Sequence, residues 1–200
     1  MTSNHKPASL DELLDHAAQY AEFNLSHAGS LPATLFLVGP KGPAVCVPPS
    51  LADEAAKNSF AADARLLCIA HGATAAVMEL EAWALLSEPG VPLDPQQRPS
   101  QAPNRREVVA LVGEAAGIHQ VKFLPILRNV LGQFTGFGEA REIRCDQIQG
   151  RFAQILPAQL PTPEEQARAQ AMLRARGIAM AAPPAQKPKT APRPRHRFSC

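Results

Sequence analysis

Residues 33–83 constrain the fold most, because the hydrophobic period changes within them from that of a strand to that of a helix and back again. Two short apolar runs, 34–38 and 44–47, flank a turn that contains Gly39 and Gly42. A glycine-containing loop between two apolar runs predicts a β-hairpin. Both faces of the first run are apolar, which is typical of a strand that lies inside a sheet.

The next stretch, residues 51–71, is predicted to be a helix. Ser50 followed by Asp53 is a variant of the capping box with Asp in place of Glu or Gln, and Gly72 suits a left-handed C-terminal cap. The apolar side chains recur near helical spacing and predict one buried stripe: Leu51, Ala55, Ala62, Leu66, Ile69 and Ala70. Residues 73–83 then alternate with the period of a strand. The segment as a whole therefore predicts a helix laid across a sheet.

The rest of the chain extends this pattern. Ser9 and Glu12 form a capping box for a first helix that ends near Gly29, and Thr162, Pro163 and Glu165 open a C-terminal helix that ends at Gly177. Between them we predict strands at 106–113 and 118–128, a glycine-containing turn or bulge at 132–138, and a third helix over 143–156. Pro125 predicts a bulge or the end of its strand.

The resulting element order is α-β-β-α-β-β-β-α, followed by the C-terminal helix. Two hairpins connect successive strands, which predicts an α+β domain with a mostly antiparallel five-stranded sheet and helices packed on it. At the level of element order, residues 9–156 resemble the roadblock, longin and profilin-type folds. The resemblance implies a small scaffold with a five-stranded sheet between helices, and it raises the expectation of a binding module.

Proline marks the predicted domain organisation. Most of the twenty prolines lie in 32–49, 89–103 and 157–194, in connections and in a tail. We predict a flexible N-terminus at 1–8, a single domain at 9–156, and a helix at 162–177. The domain carries a Pro-rich segment, 87–104, which is either a loop or a domain boundary. Residues 178–200 are predicted to be a disordered, basic, Pro-rich tail.

Charge is distributed unevenly. The five basic residues of the tail have no acidic residue between them: Lys187, Lys189, Arg193, Arg195 and Arg197. Subtracting their charge from the formal net charge of +2 leaves residues 1–186 at −3. The tail could therefore contact nucleic acid or an acidic partner. Weak, salt-sensitive binding is expected, because few aromatic residues are interleaved with the charges.

Glu79 and Glu81 are the candidate acid/base residues. They stand two apart on a predicted strand and therefore side by side on one face. Paired carboxylates can transfer protons or hold a metal ion, but on a half-buried strand they more often form its solvated face. Lys122 or Arg106 could then pair with them across strands. We expect this strand to lie at an edge of the sheet, where it either pairs with a partner or is guarded by these charges.

No recognised catalytic, cofactor or metal motif occurs in the chain, so no catalytic, cofactor-binding or metal site is predicted. The four cysteines show no paired spacing, and we interpret them as structural thiols. No secretory signal or membrane span is evident, and the composition favours a bacterial cytoplasmic protein. The sequence therefore predicts a non-enzymatic scaffold that binds a protein partner or dimerises. A nucleic-acid accessory protein and an enzyme whose site only tertiary structure reveals are the alternatives.

Overall fold

A computed structural model describes residues 9–49, 51–85, 101–145 and 150–178. It is an α+β structure with one antiparallel sheet, and the predicted fold class is confirmed. The predicted N-terminus and residues 179–200 of the predicted tail lie outside these residues, as does most of the Pro-rich segment 87–104. The elements in chain order are α1 (Leu10–Ala28), β1 (Thr34–Gly39), β2 (Gly42–Cys46), α2 (Glu54–His71), β3 (Ala75–Ala84), β4 (Arg106–Ala115), β5 (Ile118–Arg128), β6 (Phe134–Phe137), β7 (Arg141–Cys145) and α3 (Pro163–Ala175).

The ends of α1 follow the sequence signals. The Ser9 hydroxyl accepts a hydrogen bond from the amide of Glu12, and the Glu12 carboxylate accepts one from the amide of Ser9. Gly29 ends the helix with φ of 74° and donates its amide to the carbonyl of Leu25. The positive φ is open to glycine without steric cost. Both predicted caps of α1 are thus confirmed.

The start of α2 differs from the prediction. Asp53 itself is the N-cap, and its carboxylate accepts the amide hydrogen of Ala56. Ser50 lies outside the described residues. Asp is among the preferred N-cap residues because its side chain can satisfy an exposed helical amide. The predicted capping box that began at Ser50 is therefore wrong in register by one helical turn, whereas the predicted cap at Gly72 is confirmed.

The β1–β2 hairpin is confirmed, with a tighter turn than expected because Gly39 pairs directly with Gly42. The carbonyl of Val38 accepts the amide of Thr74 at 2.7 Å, on the side of β1 away from β2. Backbone groups alternate along a strand, so Gly42, Ala44 and Cys46 are the β2 residues that hydrogen bond to β1. Pro43 lies between them, where its missing amide hydrogen costs no bond in the ladder.

The sheet order is β2-β1-β3-β4-β5-β6, and β7 also pairs with β5. β3 pairs with β1 on one side and with β4 along its whole length on the other. The prediction that this strand forms an edge of the sheet is therefore wrong. The long connection after β3 suggested an exposed edge, but β3 and β4 pair directly across that connection.

The structure has two strands that the sequence analysis missed. β6 occupies the predicted turn at 132–138, with a register shift of β5 between Leu127 and Arg128. β7 occupies the start of the predicted third helix, and its Ile143 pairs with Val121 of β5. The helix predicted over 143–156 is wrong, because Ile143 belongs to a strand whereas Phe152, Ile155 and Leu156 lie in a separate stretch of turns. Pro125 lies within β5, so the strand does not end there.

Two apolar cores lie on opposite faces of the sheet. The face covered by α1, here called the α1 face, carries Phe36, Val77, Val109 and Leu111 beneath the leucines and alanines of α1. The opposite face, here called the α2 face, is covered by α2 and α3. Its core contains side chains of the strands, of both helices and of the turns before α3: Leu35, Leu37, Ala76, Met78, Leu67, Ile155 and Leu173. Successive side chains of a strand point to opposite faces, which explains why β1, covered on both sides, is apolar on both faces.

Candidate functional site

Glu79 is buried in the centre of the sheet on the α1 face. It is 0% exposed and pairs in register with Thr34 of β1 and Leu111 of β4. Neither of its carboxyl oxygens has a hydrogen-bond partner among the described residues, and the Thr34 hydroxyl donates to the carbonyl of Pro32. Burial raises the pKa of Glu79 to about 8. The expectation of a solvated face is wrong for this residue, which is a neutral acid at pH 7.

Glu81 belongs to a cluster centred on Arg128. The Arg128 guanidinium binds both oxygens of Glu107 at 2.8 Å, and one of its nitrogens lies 3.6 Å from Glu81. Glu81 also accepts the amide of Leu31 at 3.1 Å. Burial raises the pKa of Glu81, whereas the hydrogen bonds from Arg128 lower the pKa of Glu107. Bidentate pairing of this kind is strong and fixes the geometry of both partners.

Arg128 also holds two backbone segments in place. Its remaining terminal nitrogen donates to the carbonyls of Gly29 and Gly132, each at 3.3 Å. One side chain therefore connects the end of α1, strands β3 and β4, and the loop after β5. Lys122, one of the two predicted partners of the acidic pair, binds Asp15 and Glu142 instead.

The loop that Arg128 holds, residues 129–133, is here called the tip. Asn129 organises it, because its side-chain oxygen accepts the amides of Leu131 and Gln133, each at 3.0 Å. The backbone amide of Asn129 donates to the Gln133 carbonyl at 2.9 Å, and the Asn129 carbonyl accepts the amide of Gly132 at 2.9 Å. Gly132 supplies the positive φ of 77° that this turn requires. The tip is thus fixed by hydrogen bonds on every side.

Two large aliphatic side chains project from this ordered tip. Val130 is 102% exposed and Leu131 is 78% exposed. Trp83, which is 46% exposed, pairs in register with Glu107 and so lies beside the Arg128 cluster. The Arg105 guanidinium lies 4.6 Å from the centre of its ring. Adjacent exposed apolar residues on a preorganised loop are typical of a protein-binding surface.

Strand β2 forms one edge of the sheet, and among the described residues it pairs with β1 alone. Pro43, Val45 and Val47 face the same side as Phe36 and are exposed, because α1 does not cover this edge. Residues 42–49 contain no charged side chain. Edge strands are commonly guarded by charges. Within the part of the chain that the structure describes, this edge is protected instead by Pro43 and by the shortness of the strand.

A groove of about 520 Å³ lies on the α2 face between α2, α3 and residues 157–161. Its walls include Leu66, Ile69, Leu160 and Met172, with Arg168 among its polar residues. Glu79 and Glu81 do not line it. The two carboxylates that could transfer protons are therefore separated from this groove by the sheet.

Glu114 is the second carboxylate buried in the sheet. It is 1% exposed on the α2 face, and one oxygen accepts the amide of Leu156 at 3.0 Å. Its other oxygen and Nδ1 of His119, its register partner on β5, have no hydrogen-bond partner among the described residues. The bond to Leu156 ties the turns after residue 150 to the sheet, which is a structural role.

The described cysteines agree with the prediction of structural thiols. Cys46 and Cys68 are free, and burial raises the pKa of both. A thiol whose pKa is raised by apolar surroundings is a poor nucleophile near neutral pH. The side chain of Cys145 and all of Cys200 lie outside the described part of the chain.

The basic tail residues, from Lys187 to Arg197, lie outside the described residues, so their contact with nucleic acid or an acidic partner stays a prediction. In residues 9–49, 51–85, 101–145 and 150–178, no three His, Cys, Asp or Glu side chains are grouped closely enough to hold a metal ion. No helix within the same ranges has the length and apolar character needed to cross a membrane.

Sequence reasoning missed Arg128, Glu107 and the tip. Arg128 ends a predicted strand, where a charged residue is unremarkable, and its partners lie 21 and 47 positions away in sequence. The adjacent pair Val130-Leu131, placed between Asn129 and Gly132, was the available signal. Turn residues on both sides of two aliphatic residues indicate a loop that displays them.

Comparisons with known proteins add no assignment: no protein-family model matches the chain, and neither the curated proteins nor the solved structures contain a match. The resemblance to roadblock, longin and profilin-type folds therefore rests on element order alone.

Proposed function

We propose that this protein is a non-enzymatic, partner-binding module that uses the tip to engage another protein. The observation that carries this proposal is the high exposure of Val130 and Leu131 on a loop held by hydrogen bonds. An apolar side chain gains about 1.5–3 kcal/mol when it moves from water into a fully buried site. Two such side chains can therefore anchor a contact with an apolar pocket on a partner.

Preorganisation supports the proposal. A loop that is already ordered loses little conformational entropy on binding, so more of the burial energy appears as affinity. Asn129, Gly132 and Arg128 fix the backbone of the tip before any partner arrives. Trp83 extends the apolar surface next to the Arg128 cluster, and aromatic residues are enriched among binding hot spots.

The chemistry of the tip favours a protein over a lipid surface. Arg128 is already engaged by Glu107, so it is not available for anionic headgroups. Two aliphatic side chains alone bury too little to hold a chain of this size at a bilayer. A pocket in a protein needs only to match their shape.

The test compares three forms of the protein in affinity capture from the native host. The tip variant is V130S with L131S, and the matched control is L160S with M172S, which changes two exposed apolar residues of the groove. Surface substitutions of this kind change stability by about 0.5 kcal/mol or less, which circular dichroism should verify.

We expect the wild type and the control to recover the same proteins and the tip variant to recover at least about tenfold less, which corresponds to a loss of about 1.4 kcal/mol. Identical recovery by the tip variant would contradict the proposal. Loss in the control alone would move the binding site to the groove.

A further inference from the structure

The open edge of β2 carries a second interaction surface, which is independent of the tip. We propose that β2 pairs antiparallel with β2 of a second copy of this chain about a two-fold axis at Val45. The edge and the exposed side chains of Pro43, Val45 and Val47 together are here called the edge strip.

The backbone of the edge strip is self-complementary. Since Gly42, Ala44 and Cys46 bond to β1, the polar backbone groups of Pro43, Val45 and Val47 point away from the sheet. With Val45 opposite its own copy, the two Val45 residues exchange two hydrogen bonds, as an antiparallel hydrogen-bonded pair does. Pro43 then lies opposite Val47 of the partner, whose amide can donate to the Pro43 carbonyl.

Proline fits this register. It has no amide hydrogen to leave unsatisfied, so the arrangement forms four hydrogen bonds and orphans no donor. A contact that repeats the same patch on both copies closes on itself and gives a dimer.

The side chains match as well. Val45 is 54% exposed and Val47 is 46% exposed, and both lie on the α1 face with Pro43. Pairing would place the edge strips of the two copies next to each other, so that their exposed side chains form one apolar row across the dimer. No charge lies between residues 42 and 49 to oppose this, although charged residues are the usual protection of an isolated edge.

The contact is small, and this sets the expected affinity. Two strands of five residues bury less than the about 1,200 Å² that marks the lower limit of standard stable interfaces. We therefore expect a weak dimer. Sedimentation velocity should follow the wild type from micromolar concentrations upward and show a rise from the chain mass toward twice that mass.

Two charge variants test the interface and its register together. V45E and V45K each place like charges directly opposite each other in the proposed pair, which is destabilising. We expect each variant alone to raise the dimer dissociation constant at least about tenfold. An equimolar mixture should restore dimers, because Glu then faces Lys. The exposed position of Val45 makes V45T a matched control that keeps the β-branched shape.

Each outcome decides the proposal. A monomeric wild type over the whole range overturns it, as does a V45E protein that dimerises like the wild type. If neither charge variant dimerises and their mixture does not either, Val45 does not face itself and the proposed register is wrong. The V130S and L131S variant should dimerise normally, so failure of the tip proposal and failure of the edge proposal give different results.

Discussion

At the scale of single residues, Glu79 has the least usual environment of the described side chains. A carboxyl group that is removed from water without hydrogen bonds is far more costly when charged than when protonated. Burial therefore holds its proton to a pKa of about 8. Burial also raises the pKa of Glu81, two residues away, but the hydrogen bond from the Leu31 amide and the nearby Arg128 oppose that rise.

Stability should therefore depend on pH through Glu79. Its pKa is about 8 when folded and 4.5 for the unperturbed group, so unfolding releases a proton between these values. The contribution of protonated Glu79 to the free energy of unfolding is fully present below pH 4.5. It declines as the pH rises, by at most about 1.4 kcal/mol per pH unit, until the pH passes about 8. In E79Q, which stays neutral, this decline should be absent.

Urea denaturation at several pH values from about 5 to about 8.5 measures this dependence. The wild type should lose stability relative to E79Q as the pH rises, so that the difference between them grows toward alkaline pH. Parallel curves for the two proteins would mean that the Glu79 carboxyl has solvent or a partner when the protein is folded.

At the scale of elements, the two helices α1 and α2 stabilise the sheet from opposite sides. Phe36 of β1 is 1% exposed on the α1 face, where the rings of His16 and Tyr20 meet it edge to face. Leu67 of α2 is 5% exposed in the core of the α2 face. Neither helix can be removed without exposing one face of β1 and β3.

Truncating either side chain should reveal this dependence. We expect F36A and L67A each to lower the free energy of unfolding by about 2–5 kcal/mol, because each leaves a cavity in a packed core. The exposed F23A and L160A are the matched controls, with expected changes of about 0.5 kcal/mol or less. Urea denaturation of the four variants measures the differences, and a cost near zero for both core variants would contradict the proposed packing.

At the scale of the whole molecule, α3 and the turns before it complete the α2 face. Gln170 donates to the carbonyl of Ala70, Arg176 binds Asp63, and Ile178 packs against the core on this face. These contacts join the C-terminal helix to α2, although the sequence suggested a helix separate from the domain. The packed part therefore extends at least to Ile178, one residue beyond Gly177.

Truncation after Ile178 should leave the thermal midpoint within about 2 °C of the wild type, because residues 179–200 are rich in Pro and poor in large apolar side chains. Differential scanning calorimetry of the two forms measures this. Truncation after Leu173 is the comparison, since it removes the helical end and Ile178, and it should lower the midpoint clearly. A large drop on removing 179–200 alone would mean that these residues pack on the domain.

Local signals in the sequence determined the helices at both ends, their caps, the first hairpin and the α+β class, because capping and periodicity act within a few residues. Tertiary structure alone decided that β3 is central, that β6 and β7 complete the sheet, and that Glu79 is buried. It also decided that Arg128 joins four segments. Strand order and burial depend on pairing between residues that are distant in the chain, and a single period cannot encode which strand lies beside which.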